Sequence, residues 1–341
     1  MNSTLSVERW TVASRRGAWA FGAVIICLGL APLVLSGYAL DRITVLFIYI
    51  ILAAMWNALA GYGGLVSIGQ QLFFGLGAYF TIRLADAGIN PFVAVVLAGF
   101  GVALVAYVAS TFMIHLKAGE FAIGMWVLSE LAHLLVNLDG LIQGETGTSL
   151  IAMNAFNADV RRITVYYFGL AAVLLLLGAL FALLRGKTGS AIQAIRDDEQ
   201  AAASVAVEVV STKRKLFVLA AVGIGVAGAL WLCTALTFQP KTYFGVQWTA
   251  YMIFMVLVGG IGKFEGAIIG ALLFFIIETW FGAFGVWYLI GLGLSAVIFS
   301  LFFPKGLWGA IESRFGISLL PIGYQLVESR TDQAKVRKSR R

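Results

Sequence analysis

Long uncharged apolar runs, broken by short polar stretches, dominate the chain. Gly17 to Leu40 contains no Asp, Glu, Lys or Arg, and Ile43 to Ile82 stays uncharged for 40 residues. A helix needs roughly 20 apolar residues to cross about 30 Å of hydrocarbon at 1.5 Å per residue. The second run therefore predicts two helices, with Gly61-Tyr62-Gly63-Gly64 as the break between them. Further apolar runs at 87–116 (starting near Pro91), 121–138, 163–184, 216–237, 246–262, 264–281 and 286–303 predict seven more, with Pro304 stopping the last. The expected fold is all-α, a polytopic membrane protein of about ten transmembrane helices. Arg15-Arg16 before the first run resembles a signal-peptide start, but about 20 apolar residues exceed a signal core and favour a retained helix.

Composition agrees. Sixty per cent of the 341 residues are hydrophobic and 12% are charged, against about 25% charged in soluble proteins. This excludes a soluble enzyme, a disordered chain and a secreted disulfide scaffold. Cys27 and Cys233 both lie in apolar runs and read as small packing residues. The net charge of +7 reads as basic cytoplasmic segments rather than nucleic-acid binding.

Charge also orients the bundle. Arg9, Arg15 and Arg16 lie before the first run, six basic residues lie between Arg185 and Lys215, and eight follow Pro304. The positive-inside rule puts all three segments in the cytoplasm. Even numbers of spans separate them, so both termini and one long loop share a side. The expected organisation is a cytoplasmic tail at 1–16, a transmembrane domain at 17–309 containing the loop 185–215, and a basic cytoplasmic tail at 310–341. Within that tail Gln333–Arg341 is polar, basic and expected to be disordered near anionic lipid.

Catalytic chemistry is not legible. Gly186-Lys187-Thr188 resembles the end of a phosphate-binding loop, but Phe181 stands where that loop needs glycine. His115 and His133 lack metal-site spacing, and no GxSxG elbow occurs. The reading is a non-enzyme with no metal and no cofactor of its own. Polar residues inside apolar runs are costly in lipid and mark pathways or helix contacts. Asn57, Ser67, Gln70, Gln71, Glu130, His133 and Asn137 are the candidates. Glu130, His133 and Asn137 share one helix face; they either line a route or join helices by hydrogen bonds. Gly262, Gly266 and Gly270 form a small-residue ladder that favours close helix packing. Six glycines between 61 and 77 suggest broken or closely packed backbone beside a polar cavity. The 185–215 loop is long for a connection, and its mixed-charge helical stretch fits either a docking contact or a solvated loop.

Four blocks in order carry a resemblance. Ser190-Ala191-Ile192-Gln193-Ala194-Ile195-Arg196-Asp197-Asp198-Glu199-Gln200-Ala201-Ala202, with Lys215-Leu216 leading into the next helix, is similar to the coupling loop of branched-chain amino acid ABC transporter permeases of LivM type. Asn57 to Gly69 with Phe73-Phe74-Gly75-Leu76-Gly77-Ala78-Tyr79 resembles a second family block. Leu116 to Ile123 followed by Glu130, and Val258 to Gly262 with Pro304 to Gly309, resemble two more. The sequence departs from the pattern at Gln70, Ala206 and Glu208, and in the block Lys117–Glu120. The resemblance implies a permease subunit of an ATP-driven importer for branched-chain or related amino acids in the bacterial inner membrane. Its implied partners are a second permease, two cytoplasmic ATP-binding subunits using ATP-Mg, an extracytoplasmic solute-binding protein and the bilayer. Arg196, Asp197, Asp198, Glu199, Ala201 and Ala202 would couple to the ATPase. Permeases for urea, amides, sugars or nucleosides, and a stand-alone ion-coupled transporter using Glu130 or Glu278, remain alternatives.

Overall fold

The computed structural model describes residues 5–8, 12–303, 305–315, 319–320 and 325–328. Strand β1 (Leu5–Glu8) precedes α1 (Val12–Leu30), α2 (Gly37–Asn57) and α3 (Gln71–Asp86). Then come α4 (Pro91–Met113), α5 (Ala118–Asn137), strand β2 (Thr148–Ser149) and α6 (Ala158–Arg185). The long loop folds into two short helices, α7 (Lys187–Asp197) and α8 (Glu199–Ser204), before α9 (Val209–Ala235). Strand β3 (Thr237–Phe238), α10 (Pro240–Tyr243), α11 (Gln247–Gly259), α12 (Phe264–Phe281), α13 (Val286–Phe302), α14 (Gly306–Phe315) and strand β4 (Gln325–Glu328) complete the order. Arg9, Pro304 and the stretch 333–341 lie outside the described residues.

Polar caps set several helix starts. Asn90 accepts from the Phe92 N–H at 3.0 Å, with Pro91 in the first turn, and Asn157 accepts from the Asp159 N–H at 3.1 Å. Among the described residues nine helical segments are long and apolar enough to cross a membrane, one fewer than the pattern predicts. The missing one is the third. Helix α2 runs on into a π-helical turn at Ala58–Tyr62, after which residues 63–70 are non-helical. Helix α3 then spans only 16 residues, about 24 Å. The indole Nε1 of Trp56, near the end of α2, donates to the Ser67 carbonyl at 3.0 Å. The chain thus folds back toward α2 through non-helical backbone before α3 begins.

The centre is built from α2, α3 and α9, where Ile48, Ile51, Phe73 and Phe217 are fully buried. Helices α3 and α9 touch backbone to backbone: a Cβ on Gly77 would lie 1.9 Å from the Gly225 carbonyl oxygen, and one on Gly228 would lie 2.0 Å from that of Phe74. Helices α11 and α12 do the same, with a Cβ on Gly270 1.8 Å from the Met255 carbonyl and one on Gly259 1.9 Å from that of Gly266. Gly262 is not part of that helix contact; it sits in the α11–α12 turn at φ +72°.

The 27 residues of α9 span about 40 Å and separate two polar ends. At its start lie α7, α8 and the break after α2. At its finish lie α10 and the antiparallel pair β2–β3, with Thr148 opposite Phe238. Strands β1 and β4 pair antiparallel, Leu5 opposite Glu328, and the Leu320 N–H reaches Glu265 at the start of α12 at 2.6 Å. Helix α14 runs through position 310, the expected start of the tail, and buries Trp308.

Candidate functional site

Three groups of residues make up the candidate site, two around the break after α2 and one at the opposite polar end. The first is the α7–α8 pair. Arg196, in the last turn of α7, turns inward and donates from Nη1 to the Gly61 carbonyl at 3.0 Å. Its Nε and Nη2 hold Asp197 Oδ1 at 3.0 and 2.9 Å. Asp198 separates the helices: its Oδ1 accepts from the Gln200 and Ala201 N–H groups at 2.9 and 3.0 Å, an N-cap for α8. Glu199 pairs with Lys213 at 2.7 Å on the first turns of α9, and Ala202 is buried. The six residues of the coupling block therefore divide. Arg196, Glu199 and Ala202 bind α7–α8 to their own chain, Asp198 shapes the bend, and Asp197 and Ala201 are exposed together with Ala194, Gln200 and Val205.

The second group holds the break itself. Asn57 donates from Nδ2 to the Lys263 carbonyl at 2.9 Å and accepts from the Gly262 N–H at 2.8 Å. Its amide is thus engaged by the α11–α12 turn rather than directed into an open route. A Cβ on Gly61 would lie 2.4 Å from the Gly262 nitrogen and 2.3 Å from Asn57 Oδ1, so only glycine admits this packing. Ser67 Oγ accepts from the Gly69 N–H at 3.3 Å. A Cβ on Gly69 would lie 2.0 Å from the Met125 carbonyl, which puts the non-helical segment directly against α5. Irregular backbone at such depth is tolerated only where protein or a water-filled cavity surrounds it. Gln71 accepts a hydrogen bond from Thr249 on α11. Gln70 and Ser129 are fully buried, and neither the Gln70 amide nor the Ser129 hydroxyl has a partner among the described residues.

The third group lies on α5, at the far polar end. His133 places Nδ1 3.1 Å from Glu130 Oε1 and Nε2 2.8 Å from Glu145 Oε1. Asn137 Nδ2 donates to the same Glu145 oxygen at 2.6 Å, and the Lys241 N–H donates to Glu145 Oε2 at 3.0 Å. The His133 ring stacks on Phe244, centroids 5.7 Å apart. Burial pushes the Glu145 carboxyl up, but the Asn137 donor, the His133 ring and the Lys241 N–H outweigh it and hold it below its ordinary value. Close by, the Tyr79 hydroxyl donates to Asp139 at 2.7 Å and Arg83 pairs with it at 3.0 Å. The Tyr79 bond, ahead of the Arg83 charge, holds Asp139 low against its burial. Glu130 itself stands on an exposed strip of α5 among Ile123, Trp126, Val127, Leu131 and Leu134.

The residues that sequence reasoning did not single out are Glu145, Asp139, Lys213, Thr249 and Ser129. Each acts through a contact distant in sequence or fills a buried position, and none has a local spacing signal.

A bundle of long apolar helices with a broken third crossing and two short helices at one polar end is that of a multi-pass membrane transport protein. Residues 38–303 match the family described as the permease component of the branched-chain amino acid transport system, and the chain belongs to that family. It is 26% identical to the high-affinity branched-chain amino acid transport permease LivM of Salmonella typhimurium, across 81% of this chain and 71% of that one. Identity to the LivM permease of Escherichia coli is 25%, across 84% and 74%. Identity to the protein named as a branched-chain amino acid transport permease LivM in Methanocaldococcus jannaschii is 23%, across 64% and 68%. Among solved structures, an inward-facing transporter assigned to the metal-chelate ABC type shares 14% identity at a TM-score of 0.44, across 89% of this chain and 100% of that chain.

Proposed function

We propose that this chain is one permease of an ATP-driven importer for branched-chain or related amino acids, seated in the bacterial inner membrane. In this reading a solute-binding protein delivers the amino acid outside, and a second permease completes the route. Two cytoplasmic ATPase subunits supply the energy from ATP-Mg; this chain carries no catalytic group of its own. In the same reading the basic segments assign α7–α8 and both termini to the cytoplasmic side by the positive-inside rule. The Leu5–Glu328 pairing brings the two terminal strands together, and the Leu320 bond to Glu265 ties that region to the start of α12, beside the turn that Asn57 holds, which supports one shared end.

The observation that carries the mechanism is the Arg196 hydrogen bond to the Gly61 carbonyl. An ATPase pushing on the outer face of α7–α8, at Ala194, Asp197 and Ala201, moves Arg196. Arg196 moves the break after α2, and Asn57 passes the displacement to the α11–α12 turn. The non-helical segment lies against α5 at Gly69, so the same motion reaches the strip that carries Glu130. A carboxylate among lipid-facing apolar residues is costly. That strip is therefore the face we assign to the route and the second permease.

The test is purification of the tagged chain from its native membranes in mild detergent, with mass spectrometry of its companions. We expect a second permease and an ATPase in near-equal amounts, and Asp197→Lys should lose the ATPase while keeping the second permease. A chain that purifies alone and transports without ATP contradicts the proposal.

A further inference from the structure

A polar cavity of about 280 Å³ opens at the α7–α8 end, between the break after α2, the α4–α5 connection and the start of α9. Its walls carry three cations, Lys117, Arg196 and Lys213, together with His115 and one carboxylate, Glu199. Glu199 already neutralises Lys213 at 2.7 Å, and Asp197, outside the lining, holds Arg196 at 2.9 Å. Lys117 has no carboxylate within ion-pair distance among the described residues. Lys117 also precedes the first turn of α5, where the Glu120 carboxylate accepts from the Lys117 backbone N–H at 3.4 Å and offsets the positive end of that helix. The lining thus carries three cations against one carboxylate, and Lys117 is the cation that no carboxylate pairs among the described residues.

We infer that this cavity binds a phosphate-bearing anion, held by Lys117 and completed by Lys213 and Arg196. Phosphate chemistry fits because several oxygens can be shared among cations that approach from different segments. Two sources offer it: the headgroup of an anionic phospholipid of the inner leaflet, which basic pockets between membrane helices accept, or free cytoplasmic phosphate. The apolar residues Tyr107 and Phe112, exposed at the end of α4 just before this connection, put hydrocarbon close at hand. Arg214 lies over the Tyr107 ring at 4.9 Å and donates to Ser110 at 3.1 Å.

The occupant would bridge the start of α5 to the element that carries Arg196, so it would restrain the lever described above. The binding claim stands independently of transport. It is tested by calorimetric titration of the purified transporter complex with inorganic phosphate, with dioctanoyl phosphatidylglycerol and with the zwitterionic dioctanoyl phosphatidylcholine. We expect saturable binding of one equivalent per chain that is weakened about tenfold in Lys117→Gln and restored in Lys117→Arg. Lys241→Gln, at the opposite end of the bundle, should leave it unchanged. Binding of the anionic lipid alone supports the inference with the membrane as source, and binding of phosphate as well supports it with the cytoplasm as source. Absence of saturable binding by both, equal binding of the zwitterionic lipid, or unchanged affinity in Lys117→Gln overturns it.

Discussion

Arg196 is the most direct place to break the proposed link between α7–α8 and the membrane helices. Its guanidinium joins two groups, the Gly61 carbonyl through Nη1 and Asp197 through Nε and Nη2. Arg196→Ala removes a hydrogen bond from a charged donor, worth about 1.5–3 kcal/mol net. The side chain is 38% exposed, so water competes and the lower end, about 1.5 kcal/mol, applies. That is about a tenfold change in the equilibrium that ties the break to the lever. On the outer face Asp197 loses its Arg196 partner but keeps its exposed carboxylate, so the ATPase should still bind and hydrolyse ATP. The expected result is a fall of about tenfold in solute moved per ATP hydrolysed, measured by parallel uptake and phosphate-release assays in proteoliposomes. Arg196→Lys should recover only part of it, because one ammonium cannot serve the carbonyl and the carboxylate in the same fork geometry. An unchanged ratio of solute to ATP in Arg196→Ala would refute the idea that force passes through Gly61.

Three further outcomes follow from the same geometry. Gly77→Val puts side-chain carbon 1.9 Å from the Gly225 carbonyl, where contact distance is about 3.5–4.0 Å; the two backbones cannot both yield. It should destabilise the bundle by at least about 1–3 kcal/mol in thermal unfolding, whereas Gly22→Val, with open space around it, should change little. Both Asp139 and Glu145 are held below their ordinary values in the folded protein. Their stabilising contribution is therefore complete above about pH 4–4.5, the unfolded range, and is lost as pH falls through the lower folded values. Protection factors for hydrogen exchange across 138–147, corrected for the intrinsic rate at each pH, should stay high at neutral pH and fall only in strong acid; equal protection at both extremes would contradict the assignment. Glu130→Gln should lower uptake without lowering the unfolding temperature, and unchanged kinetics would assign that face to helix packing.

How far the sequence reveals the molecule depends on the range of each interaction. Apolar runs report helices well because burial in lipid is read residue by residue. Pro91 marks the start of α4 and the run at 286 the start of α13, as the pattern suggests. The third crossing is not legible in that way. Residues 43–82 are uniformly uncharged, so nothing in the charge pattern separates the non-helical backbone at 63–70 from helix; only the glycine density around Gly61–Gly77 marks it. The bend between α7 and α8 does carry a local signal, Asp198 ahead of Glu199-Gln200, which is the pattern of a helix N-cap. The glycine ladder is legible in part. Gly266 and Gly270 meet the α11 backbone, whereas Gly262 takes the positive φ that its turn requires. The spacing of Glu130, His133 and Asn137 exposes a shared face, but not Glu145, which reaches them from a separate loop and binds Lys241 across 96 residues of sequence. The inward turn of Arg196 is likewise invisible from position alone, since an arginine in a mixed-charge loop reads as solvated.

The central claim is that this chain moves amino acids only when an ATPase acts on α7–α8. Uptake of radiolabelled leucine, isoleucine and valine into proteoliposomes bearing the co-purified complex and its binding protein tests it most directly. The account predicts accumulation that requires enclosed ATP-Mg and disappears in Asp197→Lys, which leaves the membrane part assembled. Equal uptake without ATP, or with an imposed proton or sodium gradient as the sole energy source, would contradict it.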